Sequence, residues 1–240
     1  MAALAQWAKR SRFAARLARG SLQVHVRRIP HYLLRGHLIR ARRVRRYIRS
    51  TEEPRIQLGC GPHPLAGWLN SDLLMGDIYL DVTRPFPLPD SSFAFVHSEH
   101  VIEHIPEEAG RQMLREIHRV LRPGGVVRIT TPDLGKLVAL YEDRSPVVSR
   151  ADYARYLEEG TYGIPHPRAS QVLNTAMRAW GHQFIYDEED LVAKLSESGF
   201  VEVERVDPGE SPHPLLAGLE RHGSEWSNAA EAMTLEATRA

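Results

Sequence analysis

The 240-residue sequence predicts an α/β fold, a mostly parallel sheet wrapped by helices. Three observations carry this. Beyond residue 52, short apolar runs alternate with stretches of helical period. Hydrophobic side chains make up 42% of the chain, enough for a protein of this length to bury roughly 70–75% of the surface it exposes unfolded. The single cysteine, Cys60, has no partner within the chain, so a core and not a disulfide scaffold must hold the fold. Lone-cysteine usage suits a reducing cytosol. No apolar run approaches the roughly 18–20 residues that cross a bilayer, and no signal-peptide core stands out. The expected location is cytoplasmic, at most peripheral on the inner face of the membrane.

The formal net charge of +1 conceals a division. Residues 1–50 hold 14 of the 31 basic side chains and none of the 30 acids, so a basic arm (1–52) precedes an acidic body (53–240). The arm is broken at Gly20, Pro30 and Gly36. Its first half places Leu4, Trp7, Ala8, Ala15 and Ala18 on one helical face. Its second half places Leu34, Ala41, Val44 and Ile48 on a stripe flanked by Arg42, Arg45, Arg46 and Arg49, a basic amphipathic helix. Pro54 ends it, because the residue before proline is driven out of the helical region.

Seven strands are expected in the body, at 55–58, 68–73, 78–81, 93–97, 126–130, 201–206 and 233–237. Between the fourth and fifth, Met113, Leu114, Ile117, Val120 and Leu121 mark a helix that Pro106 opens and Pro123-Gly124-Gly125 stops. Asp187 caps another, which carries Leu191, Val192 and Leu195 inward and ends at Gly199. Residues 141–182, with Tyr153, Tyr156, Tyr162 and Trp180, are too long for a plain connection and read as an insertion over the ligand cleft.

Open parallel sheets bind ligands beyond the carboxyl ends of their strands, so the chemistry is expected at those ends. The first strand ends in Gly59-Cys60-Gly61, a loop whose backbone can approach a ligand closely. Pro64 replaces the third glycine of a dinucleotide fingerprint, and Asp72 follows Gly59 too soon, which argues against nicotinamide and flavin cofactors. Asp72 and Asp81 close the next two strands, where carboxylates can accept hydrogen bonds from a ribose diol and an adenine amine. The ordered triple points to a nucleoside ligand. The fourth strand ends in His97-Ser98-Glu99-His100, followed by Glu103-His104, the densest titratable cluster in the chain. A histidine here can take a proton at neutral pH, with a carboxylate fixing its tautomer. Glu103 and His104 also suit a structural role, tying the following turn to the sheet. The spacing matches no strong metal motif, and no metal is expected. Asp133 follows the fifth strand, and His166, His182 and Tyr186 could be delivered by the insertion. Nothing beside Cys60 suggests an activated thiolate.

Together, Leu58-Gly59-Cys60-Gly61, Gly67-Trp68-Leu69-Asn70-Ser71-Asp72, residues 85–93 (PFPLPDSSF), Glu99-His100-Val101-Ile102-Glu103-His104, residues 121–125 (LRPGG) and Thr131-Pro132-Asp133-Leu134 resemble the class I S-adenosylmethionine-dependent methyltransferases. The likeness is nearest to the type 11 branch associated with polysaccharide and glycan biosynthesis, and it runs in order from residue 55 to 238. It implies a Rossmann-like sheet of seven strands with helices on both faces and a final antiparallel hairpin. It further implies S-adenosylmethionine as cofactor, held by Gly59, Cys60, Gly61, Asp72, Asp81 and Ser98. Ser98 and Glu99 would face the transferable methyl. Two departures stand out: the chain before Trp68 is too short for a full first crossover helix, and Ala94 stands where the wider family has Asp.

The chemistry that follows is in-line transfer to a sugar hydroxyl of a glycan, glycolipid or lipid-linked precursor, with His100 as general base, Glu99 as its partner and Asp133 in reserve. The basic arm is expected to dock on an anionic membrane surface. The alternatives are a nucleic-acid methyltransferase or RNA-binding protein that grips phosphates with the arm, which the acidic body disfavours, and a cofactor-binding scaffold without catalysis.

Overall fold

The computed structural model describes residues 33, 35, 39–161, 163, 165–222 and 225–240, Glu225 by its backbone only. The expected helix in the first half of the arm, its breaks at Gly20, Pro30 and Gly36, and Leu34 lie outside these residues.

Seven strands form one sheet in the order β3-β2-β1-β4-β5-β7-β6. They are β1 (Arg55–Leu58), β2 (Leu69–Asp72), β3 (Ile78–Tyr79), β4 (Phe93–Glu99), β5 (Leu121–Pro132), β6 (Phe200–Val206) and β7 (Ala232–Arg239). The first five run parallel, and β7 lies antiparallel between β5 and β6. This is the seven-stranded Rossmann-like sheet with a closing antiparallel pair that the resemblance implies. Strand order reverses between β1 and β4, which places the ligand crevice at their carboxyl ends. Strand β5 starts earlier than expected: Leu121 already pairs with Phe93, and the regular ladder resumes at Val126 after the Pro123-Gly124-Gly125 bend.

Alternation along the strands separates two unlike faces. Ile56, Leu58, Val96, Val127, Ile129 and Leu235 share one apolar core with α2 (Glu107–Val120), which contributes Met113, Leu114, Ile117 and Val120. The residues between them, Gln57, Phe95, His97, Val126, Arg128 and Glu236, face the other way. There the short β1–β2 connection leaves no crossover helix, and residues from the 207–222 segment fill the space: Leu216 and Leu219 pack on Leu65, Trp68 and Val126. Arg128, fully buried, pairs with Glu220 and Glu236 at 2.7 and 2.6 Å, so this face is closed by a buried ionic network as well as by apolar contact.

The second half of the arm folds as predicted, as α1 (Arg40–Ser50), but it is docked on the body. Val44 is buried in the main core, and the Tyr47 hydroxyl accepts from the Arg55 N–H at 3.2 Å and lies 3.0 Å from the Gly67 carbonyl. Its outer face leaves Arg42, Arg45, Arg46 and Arg49 exposed. The insertion folds as the helices α3 (Leu134–Tyr141, which begins ahead of it), α4 (Arg150–Gly160) and α5 (Ala169–Arg178), around a core of Leu137, Leu140, Tyr153, Leu157, Val172 and Ala176. Helix α6 (Glu188–Glu197) starts on the expected cap, with the Asp187 carboxylate accepting from the Asp190 N–H at 2.9 Å, and α7 (Glu225–Glu231) precedes β7. Among the described residues, no helix is long and apolar enough to cross a membrane.

Candidate active site

The carboxyl rim has two halves. At the ends of β1 to β3, polar groups are largely bonded to nearby backbone. Asp72 Oδ2 accepts from the Gly61 N–H at 3.2 Å, and Oδ1 accepts from Leu74 N–H at 2.7 Å. Asp81 Oδ1 accepts from the N–H and hydroxyl of Thr83 at 3.2 and 2.7 Å. The two glycines differ. Both have positive φ, but a Cβ on Gly59 would come within 2.4 Å of Val101 Cγ2, whereas one on Gly61 would meet nothing within 4 Å. Gly59 thus lets the 101–104 segment pack against the loop, and Gly61 leaves open space for a ligand. Cys60 is buried, and burial, reinforced by the nearby Asp72 and Asp77, pushes its thiol up to about 12, so it is an inert filler of the loop.

At the ends of β4 and β5, titratable groups converge on a cavity of about 270 Å³, lined by His100, His104, His182, His222 and Glu231 with Tyr156 and Trp180 among its walls. His100 sits at φ +50 where the chain leaves β4, and its Nδ1 lies 2.9 Å from Glu103 Oε1. Burial opposes protonation of His100, but the Glu103 hydrogen bond and the carboxylates of Glu103, Glu99 and Glu231 outweigh it and raise its pKa. Glu103 is fully buried. Burial disfavours its charge, yet the bond to His100 and the charges of His100 and His104 keep it below the usual carboxylate range. Its other oxygen accepts from the Thr131 hydroxyl at 3.0 Å, which ties the turn to the sheet as the sequence suggested.

Two expected partners are corrected. The carboxylate on His100 belongs to Glu103, not Glu99. Glu99 is the last residue of β4 and continues the alternation of Phe95 and His97 onto the opposite face, where it accepts from the Arg221 and His222 N–H groups at 2.9 Å. The single turn Ile102–His104 brings Glu103 back beneath His100 instead. Asp133 is no reserve base. It caps α3 through the Gly135 N–H at 2.8 Å, pairs with Arg205 at 2.9 Å, and is absent from the cavity wall.

Ser98 is buried with its Oγ unpartnered, opposite Leu58 in the ladder and so beside the glycine loop. Of the three side chains that the insertion could deliver, His182 lines the cavity, whereas His166 and Tyr186 do not. Sequence reasoning missed His222 and Glu231. His222 packs edge-on against His63 and tilted against His100, with ring centroids 5.1 and 5.6 Å away, and so links the glycine loop to the cavity. Glu231 is pushed up by burial, despite a hydrogen bond from the Tyr153 hydroxyl. Neither residue sits at a spacing that betrays it, since both come from segments more than 120 residues beyond β4.

Residues 70–129 match the family model of the methyltransferase domain. The chain is 49% identical over 47 residues to a probable S-adenosylmethionine-dependent methyltransferase of Mycolicibacterium smegmatis, a match covering 20% of this chain and 18% of that protein. It is 36% identical over 85 residues to an uncharacterised 37.1 kDa protein of a Streptomyces fradiae transposon, covering 35% and 22%. The matches thus span about a fifth of the curated relatives' length. Among solved structures, an S-adenosylmethionine-dependent methyltransferase from Mesorhizobium loti is similar at 19% identity and a TM-score of 0.46, over 81% of this chain and 96% of that one. The matched residues, 70–129, include Asp72, Asp81, Ser98 and the His100–His104 turn.

Proposed function

We propose that this chain is an S-adenosylmethionine-dependent methyltransferase acting on a hydroxyl of a sugar in a glycan, glycolipid or lipid-linked precursor. The family match on residues 70–129 supports the cofactor. The residues present fit it on two observations: the space over Gly61 is open, and the buried Oγ of Ser98, which pairs with Leu58 at the end of the neighbouring strand, has no partner. Gly59, Cys60 and Gly61 would cradle its methionine part, Asp72 its ribose and Asp81 its adenine, with Ser98 at the sulfonium end. Asp72 keeps a lone pair beyond the bonds it accepts from the Gly61, Leu74 and Met75 N–H groups.

When bound, the cofactor supplies a methyl on a sulfonium sulfur, which becomes a neutral thioether as the acceptor oxygen takes the methyl. The observation that carries the proposal is the His100–Glu103 pair on the wall of a half-enclosed aromatic cavity. Glu103 accepts the Nδ1–H of His100, which fixes the tautomer and leaves Nε2 to take the hydroxyl proton. Tyr156 and Trp180 offer flat apolar surface to a sugar ring, and the insertion keeps water from the transfer. The exposed arginines of α1 would hold the body on an anionic leaflet, each contributing about 1 kcal/mol. Partition onto anionic liposomes that salt abolishes supports that placement; salt-sensitive RNA binding without liposome binding supports the nucleic-acid alternative.

The test is transfer of labelled methyl from S-adenosylmethionine to a sugar-containing lysate fraction. Replacing His100 with Ala is expected to cut turnover by roughly 10²–10⁴-fold with calorimetric cofactor affinity unchanged. Wild-type turnover in that variant would sink the assignment of the base, and tight cofactor binding with no turnover on any acceptor would favour the scaffold reading.

A further inference from the structure

We propose that Glu103, His104 and His182 form a binding site for one first-row divalent cation, zinc foremost, with its open coordination position facing the cavity. The three residues present one ligand atom each, all within 4.8 Å of one another. Ligand atoms on a tetrahedral ion at the usual bond lengths lie roughly 3.3 Å apart, so small side-chain adjustments close the site.

The surroundings prepare both imidazoles. His182 Nδ1 lies 3.0 Å from the Ala176 carbonyl, which can only accept, so the proton is on Nδ1 and Nε2 carries the lone pair. The backbone of Gly181 stands beside His104 Nδ1, and His104 Nε2 lies 4.0 Å from Glu103 Oε1. An imidazole held by a backbone carbonyl on one nitrogen and free on the other is the usual condition of a metal-binding histidine. The carboxylate is likewise held, by Thr131 on one oxygen and His100 on the other.

The positions are fixed by the main chain too. The Glu103 carbonyl accepts from the Gln183 N–H at 2.7 Å, and the His104 carbonyl accepts from Gln183 Nε2 at 2.6 Å, so the two segments that supply the ligands are bonded to each other. The rings of His104 and His182 meet at 4.9 Å between centroids. Two imidazoles and one carboxylate suit zinc, iron, cobalt or manganese better than calcium or magnesium, which prefer all-oxygen shells. Both histidines also line the cavity, so an ion there would keep a position open to a bound hydroxyl.

The inference does not rest on methyl transfer, and its readout is binding. Full-length protein stripped with chelator is titrated with Zn²⁺ by calorimetry and with Co²⁺ by visible absorption. One strong site per chain is expected, weakened at least tenfold in each of His104→Ala and His182→Gln, and 10–100-fold by Thr131→Val through the carboxylate it holds. His213→Ala, on the 207–222 segment, keeps it. Circular dichroism in chelator identifies any variant that fails to fold, in which case the wild-type Co²⁺ spectrum decides by the presence or absence of nitrogen ligation. No stoichiometric binding, or equal affinity in both histidine variants and the wild type, overturns the site.

Discussion

The two halves of the carboxyl rim hold their polar groups in opposite ways. Around β1 to β3, Asp72 and Asp81 spend hydrogen bonds on the backbone of their own loops, and the backbone conformations there belong to glycine. Around β4 and β5, histidines and carboxylates are buried against one another, and their proton affinities are displaced in both directions. The first half is a shaped backbone cradle; the second is a set of mutually perturbed side chains. Such clustering of perturbed groups marks chemistry, whereas a preformed loop marks binding.

The contrast can be broken at three points. The largest effect on stability is expected from Gly59→Ala, which forces a Cβ into Val101 and holds alanine at positive φ. Overpacking and strain together should cost about 2–4 kcal/mol in urea unfolding, at every pH. Gly61→Ala meets no neighbour and should cost only about 1 kcal/mol, while lowering cofactor affinity. Equal destabilisation by the two would mean that the open space over Gly61 is not there.

Next comes His97, which lies beneath the histidine half with both ring nitrogens unpartnered. Burial, aided by Arg128 and His222 and opposed by Glu99 and Glu220, lowers its pKa to about 4. The unfolded chain therefore takes up a proton that the native state refuses. Stability is present above pH 6.5 and is lost as pH falls from there toward 4, by at most about 3 kcal/mol. His97→Phe should flatten that acid limb while keeping the ring against Trp68. An unchanged limb would show that His97 is hydrated or paired in solution.

The smallest effect is expected at Glu231. Its raised pKa means that the native state binds the proton more tightly than the unfolded chain. The stability this contributes is complete below about pH 4 and is lost as pH rises through the folded value. Wild type should therefore lose stability relative to Glu231→Gln on going from acid to neutral pH. A constant difference between the two across that range would contradict the burial assigned to this carboxyl.

Much of the first half was legible in sequence because its elements are local. Glycines at a strand end, an acid closing each following strand, and a helix stopped by Pro123-Gly124-Gly125 are short-range patterns with direct backbone causes. Even there Gly59 answers a neighbour that the sequence does not show, since a Cβ at this position would meet Val101. The histidine half was legible only in its first member. His100 stands out at the end of β4, but its acid was misread because Glu99 and Glu103 differ by which face of the sheet they reach, and that depends on how the chain turns after the strand. His182 and His222 arrive from segments 78 and 118 residues beyond His104, distances over which spacing carries no information.

By itself the sequence determined the seven strands, the crevice at their carboxyl ends and the basic helix of the arm, because each follows from period, capping and charge within a few residues. Only the tertiary structure decided that this helix docks through Val44, that the 207–222 segment replaces a missing crossover helix, and that Glu103 serves His100. Those outcomes depend on which surfaces meet across the fold. Burial and partner choice, unlike period, are properties of the whole packed chain.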